Sequence, residues 1–471
     1  MSDRIPVQNV TPPATKTSDS IDLYAAREAI YTRAFHGFFR NVRMVGGGLL
    51  FLLYFGTVWL NWGGHQAVWW NLPERKFFIF GATFWPQDFI LLSGLLIVAA
   101  FGLFFITVYA GRVWCGYTCP QSVWTWVFMW CEKITEGDRN QRIKLDKAPM
   151  SVNKFVRKLS KHTLWLLIGF VTGITFVGYF APIRELIFEF FTGQADGWAY
   201  FWVGFFTLAT YANAGWLREQ VCVYMCPYAR FQSVMFDKDT LIVSYDPRRG
   251  EVRGPRKKDA DYKAQGLGDC IDCTMCVQVC PTGIDIRDGL QIECIGCAAC
   301  IDACDDIMDK MHYPRGLISY TTEHNLSGQQ THTLRPRLIG YALVLLTMIG
   351  LLAAAFFTRS LVGFDVSKDR VLFRENAEGR VENVYSLKIM NKDQRDHTYV
   401  LQASGLPDLQ LQGKREIKVA AGDSVSLPVE LSVAPEQLPS STNEVFFTLE
   451  DIDNSDINVK AKSRFIGPSI R

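Results

Sequence analysis

Eight of the thirteen cysteines fall into two runs of one spacing. The first is Cys270-x2-Cys273-x2-Cys276-x3-Cys280, followed by Pro281, and the second is Cys294-x2-Cys297-x2-Cys300-x3-Cys304. Three thiolates this close together wrap three corners of an iron–sulfur cubane, and in two-cluster ferredoxins the fourth ligand comes from the other run. The pattern predicts two [4Fe–4S] clusters. One is held by Cys270, Cys273, Cys276 and Cys304, the other by Cys294, Cys297, Cys300 and Cys280. Zinc ribbons do not use this spacing. The second run departs at one place, with Asp305 after Cys304 where the first has Pro281. That proline shapes a turn and is not a ligand. Asp302, Asp305 and Asp306 bring negative charge to this end, and two readings stay open: a lowered potential for one cluster, or an ordinary solvated acidic surface.

Four further cysteines form two similar pairs. Arg112-Val-Trp-Cys115-Gly-Tyr-Thr-Cys119-Pro120 follows one apolar stretch, and Arg218-Glu-Gln-Val-Cys222-Val-Tyr-Met-Cys226-Pro227 follows another. Both read CxYxCP, as an internal repeat of a two-helix unit would. The proline disfavours helix at the preceding cysteine and suits the first turn of a new helix. Cys119 and Cys226 are therefore expected at helix N-termini, where thiolates are favoured, with Arg112 and Arg218 adding positive charge. Such thiols suit Cu(I) ligation or disulfide cycling. Buried packing is the plain alternative, and it is the reading for Cys131, which has no partner at either spacing. His36, His65 and His162 lie near the edges of apolar stretches and are expected to be structural, with ligation as the alternative.

These residues need elements to position them. Stretches near 44–62, 89–109, 163–183, 199–216 and 338–357 are apolar over about 20 residues, enough to cross a bilayer as helices. The fourth is the weakest and contains Asn213. Lys and Arg number ten in 111–162 and six before the first stretch, against two in 63–88 and one in 184–198. The positive-inside bias then places the N-terminus, 111–162 and 217–337 in the cytoplasm and the C-terminus outside. No cleavable signal peptide is expected, because residues 1–43 are polar and mixed. The segment TPPATKTSDS reads as disordered. The net charge of +2 gives no field suited to nucleic acid. The last 167 residues contain no cysteine, so a disulfide-stapled secreted fold is excluded.

Residues 366–467 hold about seven short alternating runs, among them VYSLKIM and EVFFTLEDI, separated by turn residues. This predicts an immunoglobulin-like sandwich. The expected organisation is multi-domain. A cytoplasmic tail (1–43) precedes a four-helix transmembrane region (44–236), a cytoplasmic ferredoxin-like domain with two [4Fe–4S] clusters (237–337), a fifth transmembrane helix (338–357), and a periplasmic all-β immunoglobulin-like domain (358–471).

The motifs RKFFIFGATFWPQD (75–88), GRVWCGYTCPQSVW (111–124) and REQVCVYMCPYARFQSVMFD (218–237), with the two ferredoxin runs and the β-rich tail, resemble the FixG/CcoG (RdxA) family of cytochrome c oxidase accessory proteins. The resemblance covers nearly the whole chain. It implies a bacterial inner-membrane protein that reduces Cu(II) to Cu(I) in support of cbb3-type oxidase assembly, which would make it an oxidoreductase with copper as substrate ion. It also implies that Cys115, Cys119, Cys222 and Cys226 handle copper. The implied partners are membrane lipid, oxidase assembly factors or copper chaperones, and a cytoplasmic electron donor. Two rivals stand beside this reading: a quinol-linked relay to a periplasmic reductase, and a non-redox scaffold for the oxidase.

Overall fold

The computed structural model describes residues 29–258, 261–393, 395–452 and 458–468. The proposed disordered segment near the N-terminus lies outside them. The described chain forms two compact units. One comprises the residues up to Trp59 and Ser93–Leu351, and the other comprises Leu60–Leu92 and Leu352–Arg471.

Among the described residues, four helical stretches are long and apolar enough to cross a membrane: Phe38–Trp59, Pro86–Ala110, Val152–Val177 and Pro336–Phe357. Their apolar side chains are largely exposed to the surroundings, as with Leu52, Ile90, Leu167 and Leu346, and water would penalise such surfaces. The remaining apolar stretch is an α-helix of only 14 residues, Gly197–Thr210, that continues as a π-helix over Tyr211–Leu217. The change of winding coincides with Ala212, Asn213, Ala214 and Gly215. The helix Val152–Val177 lies close against Gly197–Thr210 because Gly169 and Gly173 face it. A Cβ on either would come within 2.8 Å of the Thr207 or Val203 carbonyl. Small residues four apart are what permit such close helix contact in lipid.

Between these helices, the ferredoxin segment is organised by the strand pair Ile242–Tyr245 and Ile318–Thr321 and the helix Ala299–Met311. Its core joins Val243, Tyr245, Ile286, Ile301, Met308, Leu317 and Ile318 to the cysteines.

The second unit is an antiparallel sandwich. One sheet runs Gln410–Gln412, Ser424–Val433, Val381–Asn391 and Val362–Lys368, with Arg374–Glu375 at its side. The other runs Glu416–Val419, His397–Ser404, Thr442–Asp451 and Asn458–Ile466. Alternate residues point inward, so Tyr385, Leu387 and Ile389 meet Tyr399, Leu401, Phe447 and Phe465 in a fully buried core. Among the described residues nine strands form where about seven runs were expected, because Arg374–Glu375 and Gln410–Gln412 are too short to show periodicity. Leu60–Leu92 carries small sheets of its own and belongs with this sandwich to one compact unit. Lys392 reaches Asp88 at 2.8 Å with both side chains buried, and Lys76 reaches Asp423 at 3.0 Å. The compact unit thus cuts across the 44–236 and 358–471 boundaries expected from hydropathy.

Candidate functional site

The two ferredoxin runs share a backbone device. Cys273 lies between Asp272 and Thr274, and Cys297 between Gly296 and Ala298, all four flanking residues having φ between 54° and 65°. This left-handed pair turns the chain around the second cysteine and then starts a helix, Met275–Gln278 or Ala299–Met311, that carries the third. Each turn aims main-chain amides at sulfur. The Met275 amide donates to Cys273, the Gly296 amide to Cys294, and those of Thr282 and Ile284 to Cys280.

The runs close on two cavities, and each is lined by a crossed set of four cysteines. Cys270, Cys273, Cys276 and Cys304 line one, walled by Ile307, Met308, Leu317 and Ile318. Cys280, Cys294, Cys297 and Cys300 line the other, with Val243, Ile284, Ile286 and Ile295; Cys276 borders this cavity as well. Burial pushes the thiols of Cys276 and Cys294 up to about 12, and those of Cys300 and Cys304 upward too. Bare, they would hold their protons, so binding iron must expel protons from a dry pocket. Four soft sulfurs per cavity, apolar walls and amides directed at sulfur fit a [4Fe–4S] cluster in each.

The acidic residues near Cys304 have other partners. Asp302 is buried and accepts from the Phe39 and Arg40 amides at 3.1 and 2.7 Å, so it caps the first turn of the helix Phe38–Gly56. Asp305 accepts from the Gly316 amide and Asp306 pairs with Lys310. Of the three, only Asp306 matches the solvated-surface reading.

Both CxxxCP breaks form as expected. Val113–Tyr117 ends before Cys119, which is the N-cap of Pro120–Glu136, and the π-helical turn Val221–Met225 ends before Cys226, the N-cap of Pro227–Met235. The repeat brings the pairs together. Cys222 lies within electrostatic reach of Cys119, Cys115, Cys226 and Arg112, and the Cys115 thiol donates to Gln232 Oε1 at 3.4 Å. Arg218 is paired with Glu132, and Trp165 lies under its guanidinium.

The first CxxxC motif abuts the second ferredoxin run. A Cβ on Gly116 would lie 2.8 Å from the Gly296 oxygen and 2.9 Å from the Cys297 Cα. Arg112 donates to the Cys294 carbonyl at 3.0 Å and to the Ala229 carbonyl at 2.7 Å, and Arg43 donates to the Cys297 carbonyl. Tyr320 donates to the Gly296 carbonyl at 2.6 Å and meets the Tyr117 hydroxyl at 3.1 Å. Sequence reasoning passed over Arg43, Gly116, Gln232 and Tyr320. Only Gly116 carried a signal, as the glycine inside the first CxxxC.

Cys131 packs with Phe128, Trp165 and Ala214. His65 lies tilted against the Phe78 ring and bonds the Gln66 carbonyl, and His162 bonds the Tyr211 hydroxyl at 2.9 Å and stands edge-on to Trp165. His36 is exposed. Sequence reasoning also missed Glu132 and Glu136, one turn apart on Pro120–Glu136, which bind Arg142, Lys158, Lys161 and Arg218 inside the protein.

Comparison with known proteins agrees with this geometry. Residues 217–323 match the 4Fe-4S dicluster domain family, and residues 352–468 match the IG-like fold at the C-terminal of FixG. The protein RdxB of Cereibacter sphaeroides is 40% identical over 418 residues, covering 85% of this chain and 87% of that protein. The nitrogen fixation protein FixG of Rhizobium meliloti is 37% identical over 465 residues, covering 91% of this chain and 87% of that protein. A FixG-related protein from Vibrio parahaemolyticus, solved by crystallography, is 35% identical over 23% of this chain and 97% of its own, with a TM-score of 0.22. A ferredoxin-type iron–sulfur segment set among apolar helices, a β-rich C-terminal unit and relatives matched over most of their length identify this chain as a membrane protein of the FixG and RdxA family.

Proposed function

We propose that the chain carries electrons one at a time from a cytoplasmic donor to Cu(II) held at the CxxxCP thiols. In this reading five spans cross the inner membrane, with Gly197–Thr210 and its π-helical continuation as the fourth. The ferredoxin segment lies in the cytoplasm and the β-sandwich in the periplasm. Crowding of Lys and Arg in 111–162, and the packing of Leu60–Leu92 with the C-terminal unit, support that arrangement. Cys270, Cys273, Cys276 and Cys304 would hold one cluster and Cys280, Cys294, Cys297 and Cys300 the other; when bound, these groups supply reversible one-electron transfer.

The observation that carries the reading is the seating of Gly116, between Cys115 and Cys119, on the backbone of Cys297. With no side chain there, the backbone between Cys115 and Cys119 approaches that of Cys297 closely. Arg112 and Arg43 fix that approach through the Cys294 and Cys297 carbonyls. Cu(II) gains one electron and becomes Cu(I), an ion that prefers the soft sulfurs of Cys115, Cys119, Cys222 and Cys226. The Cu(I) then passes to oxidase assembly factors or copper chaperones.

The test is anaerobic reduction of the purified protein followed by mixing with Cu(II) or with a quinone. Reoxidation by Cu(II) supports the reading. Reoxidation by quinone but not Cu(II) replaces it with a quinol-linked relay, and iron–sulfur groups that cannot be cycled replace it with an assembly scaffold.

A further inference from the structure

Away from every cysteine, three metal-ligating groups converge. Asp239 Oδ1, one nitrogen of His324 and one of His332 all lie within 4.8 Å of one another. His324 Nδ1 is 2.7 Å and His332 Nδ1 3.8 Å from Asp239 Oδ1. Ligands on a tetrahedral ion with bonds near 2.0–2.1 Å stand roughly 3.4 Å apart, so the two separations straddle that spacing. The imidazole rings lie nearly perpendicular, at 84°, with centroids 6.1 Å apart, so they approach the carboxylate from different directions.

The surrounding bonds hold these groups in place. The His324 amide donates to the Lys238 carbonyl, and the His332 amide donates to Asp239 Oδ1 at 2.9 Å. The loop between the two histidines is closed by Thr322 and Thr331, whose hydroxyls are 2.6 Å apart. Arg335 is engaged by Asp237 and the Val108 carbonyl and comes only to 4.0 Å from the other oxygen of Asp239. Oδ1 is thus left to the histidines. His332 is 71% exposed on its side chain, which leaves an entry path and room for a water ligand.

We propose that Asp239, His324 and His332 form a site for a first-row divalent transition-metal ion, bound through two imidazoles and one carboxylate with a solvent position open. Nitrogen and oxygen ligands suit borderline ions, and Cu(II) heads the affinity order for such a set. The bound ion would tie the 237–241 turn to the 322–332 loop, beside the Ala110 end of the helix Phe89–Ala110, where Thr240 already bonds the Val108 carbonyl at 3.0 Å. The proposal stands apart from the reading of the CxxxCP thiols, because it needs no electron transfer and no sulfur.

The probe is Cu(II) added to the oxidised protein in stoichiometric steps, read by low-temperature EPR. The wild type is expected to show one Cu(II) species with nitrogen splitting from two imidazoles, distinct from any copper at the CxxxCP thiols. His324→Ala/His332→Ala should lose that signal while iron and sulfide content stay unchanged. His332→Ala alone guards against misfolding: its side chain is exposed and its amide bond to Asp239 survives, so splitting should fall to one nitrogen. A wild type without nitrogen-coupled Cu(II), or an unchanged signal in the double variant, overturns the proposal and leaves Asp239 and His324 as a hydrogen-bonded pair.

Discussion

The Arg112 guanidinium donates to the main-chain carbonyl of Cys294 at 3.0 Å, which links the approach to the first CxxxCP motif directly to a cysteine of the second ferredoxin set. The same side chain bonds the Ala229 carbonyl on the helix that follows the second CxxxCP motif. One arginine therefore joins both repeats of the membrane part to the ferredoxin segment. Arg112→Gln can keep only some of these bonds. It should slow reoxidation of the reduced protein by Cu(II) with little loss of iron, as stopped-flow absorbance would show.

Gly116→Ala is the steric counterpart. The added methyl meets backbone atoms at 2.8 and 2.9 Å, and these cannot swing aside as a side-chain tip would. Overpacking of this kind costs about 1–3 kcal/mol. The expected result is a lower thermal midpoint and slower transfer, with the Cys270, Cys273, Cys276 and Cys304 set retaining its iron.

Cys280→Ser tests the crossed sets. Cys280 borders the cavity of Cys294, Cys297 and Cys300 and not that of Cys270. The variant should lose or alter the EPR signal belonging to Cys297 and leave the signal belonging to Cys273 unchanged, each assigned from its own serine variant. An effect confined to the Cys273 signal would reverse the assignment.

In the C-terminal unit, His397 is buried against Asp393 and Asp451, with Tyr399 stacked on its ring. Burial opposes its charge, but hydrogen bonds to the two carboxylates outweigh it and raise its pKa above the ordinary 6.5. The folded state thus holds the proton more tightly than the unfolded chain. That stabilisation is complete below the unfolded pKa and is lost as pH rises through the folded one. Thermal midpoints should therefore fall as pH is raised from near 6.5 through the folded value, and His397→Gln should flatten this dependence.

Lys392 and Asp88 form a buried pair within the same unit. Lys392→Met leaves the carboxylate uncompensated, and breaking such a pair costs about 3–5 kcal/mol. Chemical unfolding should show a loss of that size, and adding Asp88→Asn should recover part of it.

Much of this was legible in the sequence because its chemistry is written locally. The spacing of Cys270 through Cys280 and of Cys294 through Cys304 dictates both the wrapping turns and the crossed sets. Proline after Cys119 and Cys226 dictates where two helices begin. Alternation in 381–391 and 442–451 dictates strands with one buried face. What the sequence hid is non-local. Nothing near Asp302 announces that it caps a helix more than 260 residues earlier in the chain. Nothing in Leu60–Leu92 announces packing with the C-terminal sandwich. The π-helical winding of Tyr211–Leu217 reads as continuous apolar helix, because hydropathy records composition and not hydrogen-bond register. Asp239, His324 and His332 are separated by too much chain to form a motif.

The central claim is that electrons leave through the CxxxCP thiols to Cu(II). Its most direct test is the rate of Cu(II)-dependent reoxidation in Cys119→Ser/Cys226→Ser, with Cys131→Ser as control. The eight ferredoxin cysteines are untouched, so iron and sulfide content should equal that of the wild type. The account predicts strongly slowed reoxidation and weakened Cu(I) binding in the double variant, because serine hydroxyls are hard, neutral donors. The control should behave nearly as the wild type. Reoxidation at the wild-type rate with iron and sulfide intact would contradict the account and move Cu(II) reduction to an exposed edge of the ferredoxin segment.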